Sequence, residues 1–209
     1  LELFIDRWAK PWSSYCDAKN LRFTGHYWEH GWPEPTHGFD EAAFYIYHQM
    51  PGVDMLGNRM DSAGQGGQFG NERAVREARS VANQAGRKRI LSETYGGGGW
   101  DMDFETQKRL LDWQCVMGIN FVNQHLSFYS MNGVRKFDYP PSFTYHEPWW
   151  NQYRLLGDYI GRVSMAMSAA VLTLLRAKPL AARWTMRCRS FVVAPLGNSM
   201  EHDGPSSSR

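Results

Sequence analysis

The sequence predicts an α/β fold that forms part of a (β/α)8 barrel, with about four strand–helix units. Short apolar segments alternate with longer segments in which apolar residues recur at helical spacing. Strands that alternate with helices form right-handed crossovers, which give a parallel sheet. A doubly wound nucleotide-binding sheet would carry a GxGxxG motif or a P-loop after its first strand, and this sequence has neither. A partial barrel therefore fits the pattern better.

Caps and breakers mark the ends of the predicted elements. Asp40, Asn71 and Asp103 can each cap the first turn of a helix. Gly86 can end a helix, and Pro11 must kink or restart the one in which it lies. The predicted order is helix 1–19, strand 21–28, helix 41–50 ended by Pro51, strand 52–56, helix 71–86, strand 88–93, helix 104–118, strand 119–126 and helix 149–170.

The composition argues against several classes of protein. The 209 residues carry a net charge of +2, whereas a general nucleic-acid binder shows a basic stripe. No apolar run reaches the roughly 18 residues that span a bilayer. The cysteines, Cys16, Cys115 and Cys188, lack the spacing of a disulfide framework or a zinc site, so we expect inert core thiols. Neither a nucleic acid nor a membrane is therefore an expected partner.

Aromatic residues make up 14% of the chain, and many of the nine tryptophans lie in loops that contain Gly and Pro. Aromatic side chains outside periodic segments are typical of a binding surface. Trp149 and Trp150 follow Pro148, and we expect them to be anchors in the core or in an interface. The first predicted helix also places apolar side chains near one face, namely Leu3, Phe4, Trp8, Trp12, Tyr15 and Cys16.

The chain changes character near residue 170. Residues 1–170 hold all the predicted units. Residues 171–209 carry six basic residues against two acidic ones, with weak periodicity and a polar end. We expect this tail to be poorly ordered, and we hypothesise that the reading frame slips near Ala169 or Ala170. The first residues begin mid-pattern without a start Met or a signal peptide, which predicts a truncated N-terminus.

Polar side chains follow each predicted strand. The carboxyl ends of the strands of a parallel barrel meet at one mouth, where chemistry takes place. Two of these residues, Glu29 and Glu93, are carboxylates on non-adjacent strands, and we expect tryptophans 28, 32 and 100 to edge the mouth. The strand-end residues are His26, Glu29 and His30, then Asp54 and Asn58, then Glu93 and Tyr95, and finally Asn123, Gln124 and His125.

This combination is typical of a sugar hydrolase. Glycoside cleavage needs a proton donor and a second carboxylate, at ~5–5.5 Å for retention or ~6.5–9.5 Å for inversion. Aromatic faces bind pyranose rings, while His, Asn and Gln bond to hydroxyls. We therefore predict Glu93 and Glu29 as catalytic residues. The predicted substrate-binding residues are His26, His30, Trp32, Asn58, Tyr95, Trp100, Asn123 and His125.

Each candidate also has a structural alternative. Glu93 could accept backbone N–H bonds, Glu29 could pair with a neighbouring His or Arg, and His125 could be a satisfied core histidine. The spacing of His26 and His30 suggests a further alternative, a metal-dependent hydrolase centred on these residues and His125. A real H-E-x-x-H motif lies on one helix, whereas this pair straddles a strand end and a loop, so we predict no metal ligand. A non-catalytic carbohydrate-binding module is a further alternative.

Five segments carry a resemblance to a known family. They read TGHYWEH, MPGVDML, RKRILSETYG, GINFVNQHLSFYS and RKFDYPPSFTYHEPWW. Over about residues 1–169 the chain resembles the glycoside hydrolase family 106 alpha-L-rhamnosidases and related bacterial glycosyl hydrolases. The SETYG and GINFVNQH segments are specific as a pair, and the tail does not match.

The resemblance implies the C-terminal half of a (β/α)8 catalytic domain over residues 1–170, acting on terminal deoxysugars in oligo- or polysaccharides. It implies an inverting mechanism with Glu93 as the general base, allows calcium, and suggests a periplasmic or extracellular location. The general acid of that family lies in an Asp-Ser-Trp-Glu-like motif that this sequence lacks. We expect the acid to lie in a missing N-terminal half of the barrel, or Glu29 to replace it. A half barrel is expected to be inactive alone.

Overall fold

Four parallel strands form the centre of the protein, and their order in the sheet follows their order in the sequence. The computed structural model describes residues 1–27, 40–57 and 69–176, with side chains described over 72–169 in the last range. The strands are β1 (Thr24–Gly25), β2 (Met50–Met55), β3 (Leu91–Thr94) and β4 (Phe121–Gln124). Neighbours pair in parallel throughout the order β1-β2-β3-β4. This confirms the predicted parallel α/β sheet, which is consistent with part of a barrel.

Helices connect the strands and follow the last one. The helices are α1 (Glu2–Phe4), α2 (Lys10–Ala18), α3 (Glu41–Tyr45), α4 (Phe69–Gln84), α5 (Phe104–Met117) and α6 (Tyr153–Arg176), with a π-helical turn at Ile5–Ala9 and 3-10 turns at Gly133–Phe137 and Trp150–Gln152. Because α4 and α5 each join two adjacent parallel strands, the chain repeats the strand–helix unit that the sequence predicts. No helix of the described residues combines the length and the apolar character needed to cross a bilayer.

Three predicted caps and stops are confirmed. Asp40 caps α3 and Asp103 caps α5, since their carboxylates accept hydrogen bonds from the backbone N–H groups of Ala43 and Thr106. Gly86 follows α4 in the left-handed region, with φ of 68°. A glycine adopts this conformation without strain, which explains why the helical pattern stops there.

The predicted boundaries between α3 and β2 were wrong. The helix predicted over 41–50 ends at Tyr45, and the strand predicted from residue 52 already begins at Met50. The reason is pairing: Met50 lies opposite Thr24, and its N–H donates to the Phe23 carbonyl at 3.2 Å. This pairing draws the segment out of the helix. The strand predicted over 21–28 is correspondingly reduced to β1.

Other helix ends also differ from prediction. Asn71 lies inside α4, which begins at Phe69, so it is not the cap. The helix predicted over 149–170 starts at Tyr153 and continues to Arg176. The rest of the predicted tail, 177–209, lies outside the described residues. Pro11 follows a π-helical turn and sits in the first turn of α2, where the α-helix restarts, which is one of the two predicted outcomes.

The core lies between the sheet and the helices. Val53 of β2 packs with Ala74, Ala78 and Ala82 of α4, while Leu111 of α5 packs with residues of α6. Side chains alternate along a strand, so the residues next to Val53 in β2 point to the opposite face of the sheet. That opposite face carries the candidate site.

The predicted structural residues follow this division. Cys16 and Cys115 are buried free thiols, and burial raises the pKa of Cys115 to about 11, which confirms an inert thiol. Trp149 packs against the cluster that contains Phe143, as expected of a core anchor. Cys188 lies outside the described residues.

Candidate active site

Three polar residues lie side by side on the face of the sheet opposite the helices. The register places Asp54 of β2 opposite Glu93 of β3, and Glu93 opposite Asn123 of β4. Partners in a parallel register point to the same face, so the two carboxylates and the amide project together. Each lies one residue before the last residue of its strand, at the end where parallel barrels carry out chemistry.

His26 joins this row directly after β1. Its Nε2 atom lies 2.7 Å from Oε2 of Glu93, a distance typical of a charge-assisted hydrogen bond. The two side chains are partly exposed, at 29% and 26%. One ligating atom each of His26, Asp54 and Glu93 lies within 4.8 Å of the others. The first and third strands therefore bring together two of the predicted site residues.

These residues form part of a cleft of about 490 Å³. This volume is in the range of small-molecule sites in proteins. The cleft is lined by His26, Tyr27, Asp54, Leu56, Glu93, His125 and Tyr139. Glu93 is therefore not enclosed in the core, although it could also serve to anchor His26.

His125 forms one wall of the cleft, as predicted. Its backbone N–H donates to the Thr94 carbonyl at 2.8 Å, which fixes the chain after β4 against the end of β3. Gly96 lies directly behind the imidazole, and a Cβ at that position would come within 3.0 Å of the ring. The buried Nδ1 atom has no hydrogen-bond partner among the described residues. The alternative of a satisfied core histidine therefore does not fit.

The sequence did not single out three residues that line the cleft. Tyr27, Leu56 and Tyr139 follow β1, β2 and β4, respectively. Tyr27 directly follows the strand-end residue His26 in the quoted TGHYWEH segment, so its position was a usable signal. The tyrosine at 139 meets His125 edge to face at 6.1 Å, a contact between residues 14 apart that no local pattern reveals.

Tyr27 is held from behind by a buried histidine. Its hydroxyl lies 3.0 Å from Nε2 of His48, which is only 1% exposed. Burial raises the pKa of Tyr27 to about 12 and, as the larger of two causes, lowers the pKa of His48 to about 4, with nearby Arg87 as the second. The neutral hydroxyl and the neutral imidazole therefore share this hydrogen bond. This bond fixes the ring that forms the cleft wall.

Three predicted binding residues are not on the cleft wall. Tyr95 has φ of 77° and turns into the core, where its buried hydroxyl donates to the Gln107 carbonyl. Trp100 donates from its indole N–H to the Lys136 carbonyl at 2.6 Å and packs edge-on against Phe128. Asn123 lies beside Glu93 in the register but is exposed outside the cleft lining. The burial of Tyr95 contradicts its predicted role, whereas the roles predicted for Trp100 and Asn123 stay predictions.

Four other predicted residues, Glu29, His30, Trp32 and Asn58, lie outside the described residues. The described cleft contains two carboxylates, Asp54 and Glu93, with their nearest ligating oxygens within 4.8 Å. Inverting glycosidases separate their carboxylates by ~6.5–9.5 Å to admit a water. Asp54 and Glu93 thus sit too close to be an inverting pair.

Calcium, which the family resemblance allows, fits the described donors poorly. Calcium takes six to eight oxygen ligands. The described cluster offers two carboxylates and the imidazole nitrogen of His26, a donor set that suits zinc and similar ions better. We therefore derive no step through calcium.

The fold is similar to that of a solved structure, the rhamnosidase from Novosphingobium sp. PP1Y, with a TM-score of 0.59 and 19% sequence identity. This chain has a rhamnosidase-like fold. The similarity covers 75% of this chain and 15% of that chain, so this chain corresponds to a small part of that rhamnosidase. Neither a protein-family model nor a curated protein matches the chain. Membership of glycoside hydrolase family 106 therefore stays a prediction from the rhamnosidase-like segments.

Proposed function

We propose that the cleft is a sugar-binding site of the glycoside hydrolase kind, in which Glu93 acts as a proton acceptor. The main support is the 2.7 Å contact between His26 Nε2 and Glu93 Oε2, inside a cleft at the strand ends. An imidazole that donates to one carboxylate oxygen orients the group and leaves its other oxygen to accept a proton from water. This is the arrangement that a general base requires.

The cleft wall indicates the class of sugar. Tyr27 and Tyr139 offer aromatic rings, and His125 offers an imidazole on the cleft wall. A pyranose presents apolar C–H faces and hydroxyls, which match these two kinds of group. Leu56 adds an aliphatic side chain to the lining. An aliphatic wall favours a sugar that carries a methyl group in place of a hydroxymethyl, so we propose a terminal 6-deoxysugar such as an alpha-L-rhamnoside.

The proton donor remains to be assigned. Asp54 is too close to Glu93 for an inverting pair, since their nearest ligating oxygens lie within 4.8 Å. We propose that the donor is either Glu29 or a residue on a barrel strand other than the four described ones. Residues 1–170 would then be the catalytic part of the chain. We expect the chain alone to bind sugar without turning it over, which it would share with a non-catalytic carbohydrate-binding module.

The substrate assignment is tested by comparing two sugars that differ in one group. L-rhamnose is 6-deoxy-L-mannose, so the pair isolates the methyl group. We expect the chain to bind L-rhamnose several-fold more tightly than L-mannose, because burying a methyl contributes roughly 1 kcal/mol. Leu56→Asn should remove this preference and His125→Ala should weaken both sugars, as measured by NMR titration. Equal affinity for the two sugars in the wild type would refute the assignment.

The catalytic assignment is tested with an aryl alpha-L-rhamnoside. We expect no turnover by the chain alone, and unchanged sugar binding in Glu93→Gln, which keeps the shape of the side chain. Turnover by the wild type that Glu93→Gln abolishes would refute the expected inactivity and would identify Glu93 as the base. Loss of sugar binding in Glu93→Gln would instead mean that Glu93 mainly maintains the structure of the cleft.

A metal-dependent hydrolase is the second candidate, and one observation favours it. His26, Asp54 and Glu93 present ligating atoms within 4.8 Å of one another. For the sugar hydrolase we expect no stoichiometric zinc in protein purified without chelators. One equivalent of zinc in the wild type, absent from His26→Ala and retained in the control His146→Ala, would favour the metal enzyme. Elemental analysis and calorimetric zinc titration measure this directly.

A further inference from the structure

A row of exposed aromatic side chains runs along the first helical segment and takes no part in the cleft. Trp8, Trp12 and Tyr15 are 42%, 43% and 52% exposed. Their ring centroids follow one another at 5.6 Å and 6.2 Å. Exposed aromatic residues in a contiguous group usually mark a place where something binds. We call these three residues the aromatic row.

The opposite side of the helix already supplies its attachment to the protein. Ala9, Ser13 and Cys16 are buried. Gln49 donates from its side-chain amide to the carboxylate of Asp17 at 2.9 Å and to the Ser13 carbonyl at 3.2 Å. The helix is therefore held by its buried face and by these bonds. The exposed fractions of the aromatic row consequently remain available to a ligand.

Part of the row forms one wall of a groove of about 500 Å³, lined by Arg7, Pro11, Trp12 and Tyr15. Arg7 is the charged residue of this lining, and it forms no ion pair with any residue that the structure describes. Trp12 is stacked on Phe23 at 6.3 Å with an interplanar angle of 28°, which fixes one ring of the groove. An aromatic groove with one placed polar group is the usual composition of a ligand site.

We propose that this groove binds an acidic oligosaccharide, with the apolar face of a uronic acid ring against Trp12 or Tyr15 and its carboxylate against Arg7. A guanidinium presents two parallel N–H donors that match the two oxygens of a carboxylate. Aromatic faces contact the C–H face of a pyranose. That the ligand is a carbohydrate rests on the proposed function, whereas its negative charge rests on Arg7. The groove would hold a polysaccharide while the cleft acts on its end.

The test compares an oligogalacturonate with the same oligosaccharide after methyl esterification, which removes the charges and keeps the rings. We expect the wild type to bind the acidic form roughly tenfold more tightly, because a charge-assisted hydrogen bond contributes about 1.5 kcal/mol or more. Arg7→Gln should abolish this difference in a calorimetric titration. Trp12→Ala and Tyr15→Ala should each weaken the binding of both oligosaccharides. If Trp12→Ala unfolds because it loses the contact with Phe23, Tyr15→Ala alone provides the test.

Two measurements separate this groove from the cleft. Binding of L-rhamnose should be unchanged in Arg7→Gln and Tyr15→Ala, and binding of oligogalacturonate should be unchanged in His125→Ala. Failure of L-rhamnose binding alone refutes the proposed cleft function and leaves the groove standing. Equal affinity for both oligosaccharides refutes the groove. Self-association of the wild type in sedimentation, if Trp12→Ala abolishes it, would also refute the groove, because a second copy of the chain would then cover the aromatic row.

Discussion

The side chain of His48 shows how a single buried residue can set both the shape of the cleft and the pH dependence of stability. Its Nε2 atom is hydrogen-bonded to the hydroxyl of Tyr27, which lines the cleft, while its Nδ1 atom is buried with no partner among the described residues. A proton on this ring would have to be accommodated in a buried, uncompensated position. The folded protein therefore favours the neutral form.

We predict that the free energy of unfolding falls as the pH falls from about 6.5 to about 4. The pKa of His48 is lowered from 6.5 to about 4 by burial and by Arg87. Between these two pH values His48 is protonated in the unfolded chain but not in the folded protein, so a falling pH favours unfolding. The full stabilisation is present above pH 6.5 and amounts to about 3 kcal/mol relative to pH values below 4. Urea denaturation at several pH values measures it.

Two variants separate the contribution of His48 from that of other titrating groups. His48→Gln should flatten the pH dependence within the window. Tyr27→Phe should keep most of it, because burial is the first cause of the lowered pKa and the hydroxyl is not. A Tyr27→Phe protein with a flat profile would show that the hydrogen bond, and not burial, controls the titration.

The sequence identified which polar residues lie near the site better than it identified which way their side chains point. Glu93 and His125 are on the cleft wall as predicted, because each lies at the carboxyl end of a strand. Tyr95 is only two residues after Glu93, but the positive φ at that residue turns its side chain into the core. An unusual backbone angle at a non-glycine residue has no reliable sequence signal. The partners Tyr27 and Tyr139 depended on contacts between distant segments.

At the scale of elements, the contact between β1 and β2 depends on a glycine. A Cβ on Gly52 would come within 2.6 Å of the Gly25 carbonyl oxygen and 3.2 Å of the Leu91 side chain. The first of these is a backbone atom, which cannot move aside without shifting the strand. The two strands can therefore approach this closely only because position 52 has no side chain.

We predict that Gly52→Ala lowers the free energy of unfolding by about 1–3 kcal/mol, the usual cost of forcing an extra group into a packed region. Gly157→Ala is the matched control, since Gly157 lies within α6 and a Cβ there meets nothing within 4 Å. Removing a helical glycine should stabilise the control by roughly 0.5–1 kcal/mol. Thermal unfolding of both variants measures the two signs. A neutral Gly52→Ala would contradict the close approach.

The elements themselves were largely predictable, but only some of their ends were. The caps Asp40 and Asp103 and the stop at Gly86 followed from local chemistry, and the structure confirms them. The early end of α3 did not, because pairing of Met50 with β1 takes those residues into the sheet. Tertiary pairing therefore decided the boundaries that local propensity left open.

At the scale of the whole molecule, three buried clusters share side chains. Trp113 packs against the cluster around Val53 and the cluster around Tyr95. Tyr153 joins that second cluster to the one around Leu111. Residues Leu1–Arg176 form one compact unit. Because shared side chains link these three clusters, we expect this unit to lose its structure as a whole.

We predict a single cooperative unfolding transition for this unit, seen at the same denaturant concentration by far-UV circular dichroism and by tryptophan fluorescence. Trp113→Ala should lower the free energy of unfolding by about 3 kcal/mol, since it removes a large side chain from two clusters. Tyr129→Ala is the control, because Tyr129 is 97% exposed. Two separate transitions in the wild type would contradict the shared core.

The parallel topology was the most predictable property at this scale, because it follows from the alternation of strand and helix patterns alone. The distance between the two carboxylates of the cleft was the least predictable. It depends on how neighbouring strands are registered, and Asp54 and Glu93 proved to be direct register partners. No periodicity in one strand contains that information.

The close approach of Gly96 to the imidazole of His125 has a practical consequence for redesign. Behind the imidazole of His125 lies the main chain of Gly96, which has no side chain. The φ angle at position 96 is outside the left-handed region that disfavours alanine. A single methyl introduced there would oblige the ring to shift by a few tenths of an ångström while leaving every group that faces the cleft chemically intact. The width of the opening can thus be tuned from behind.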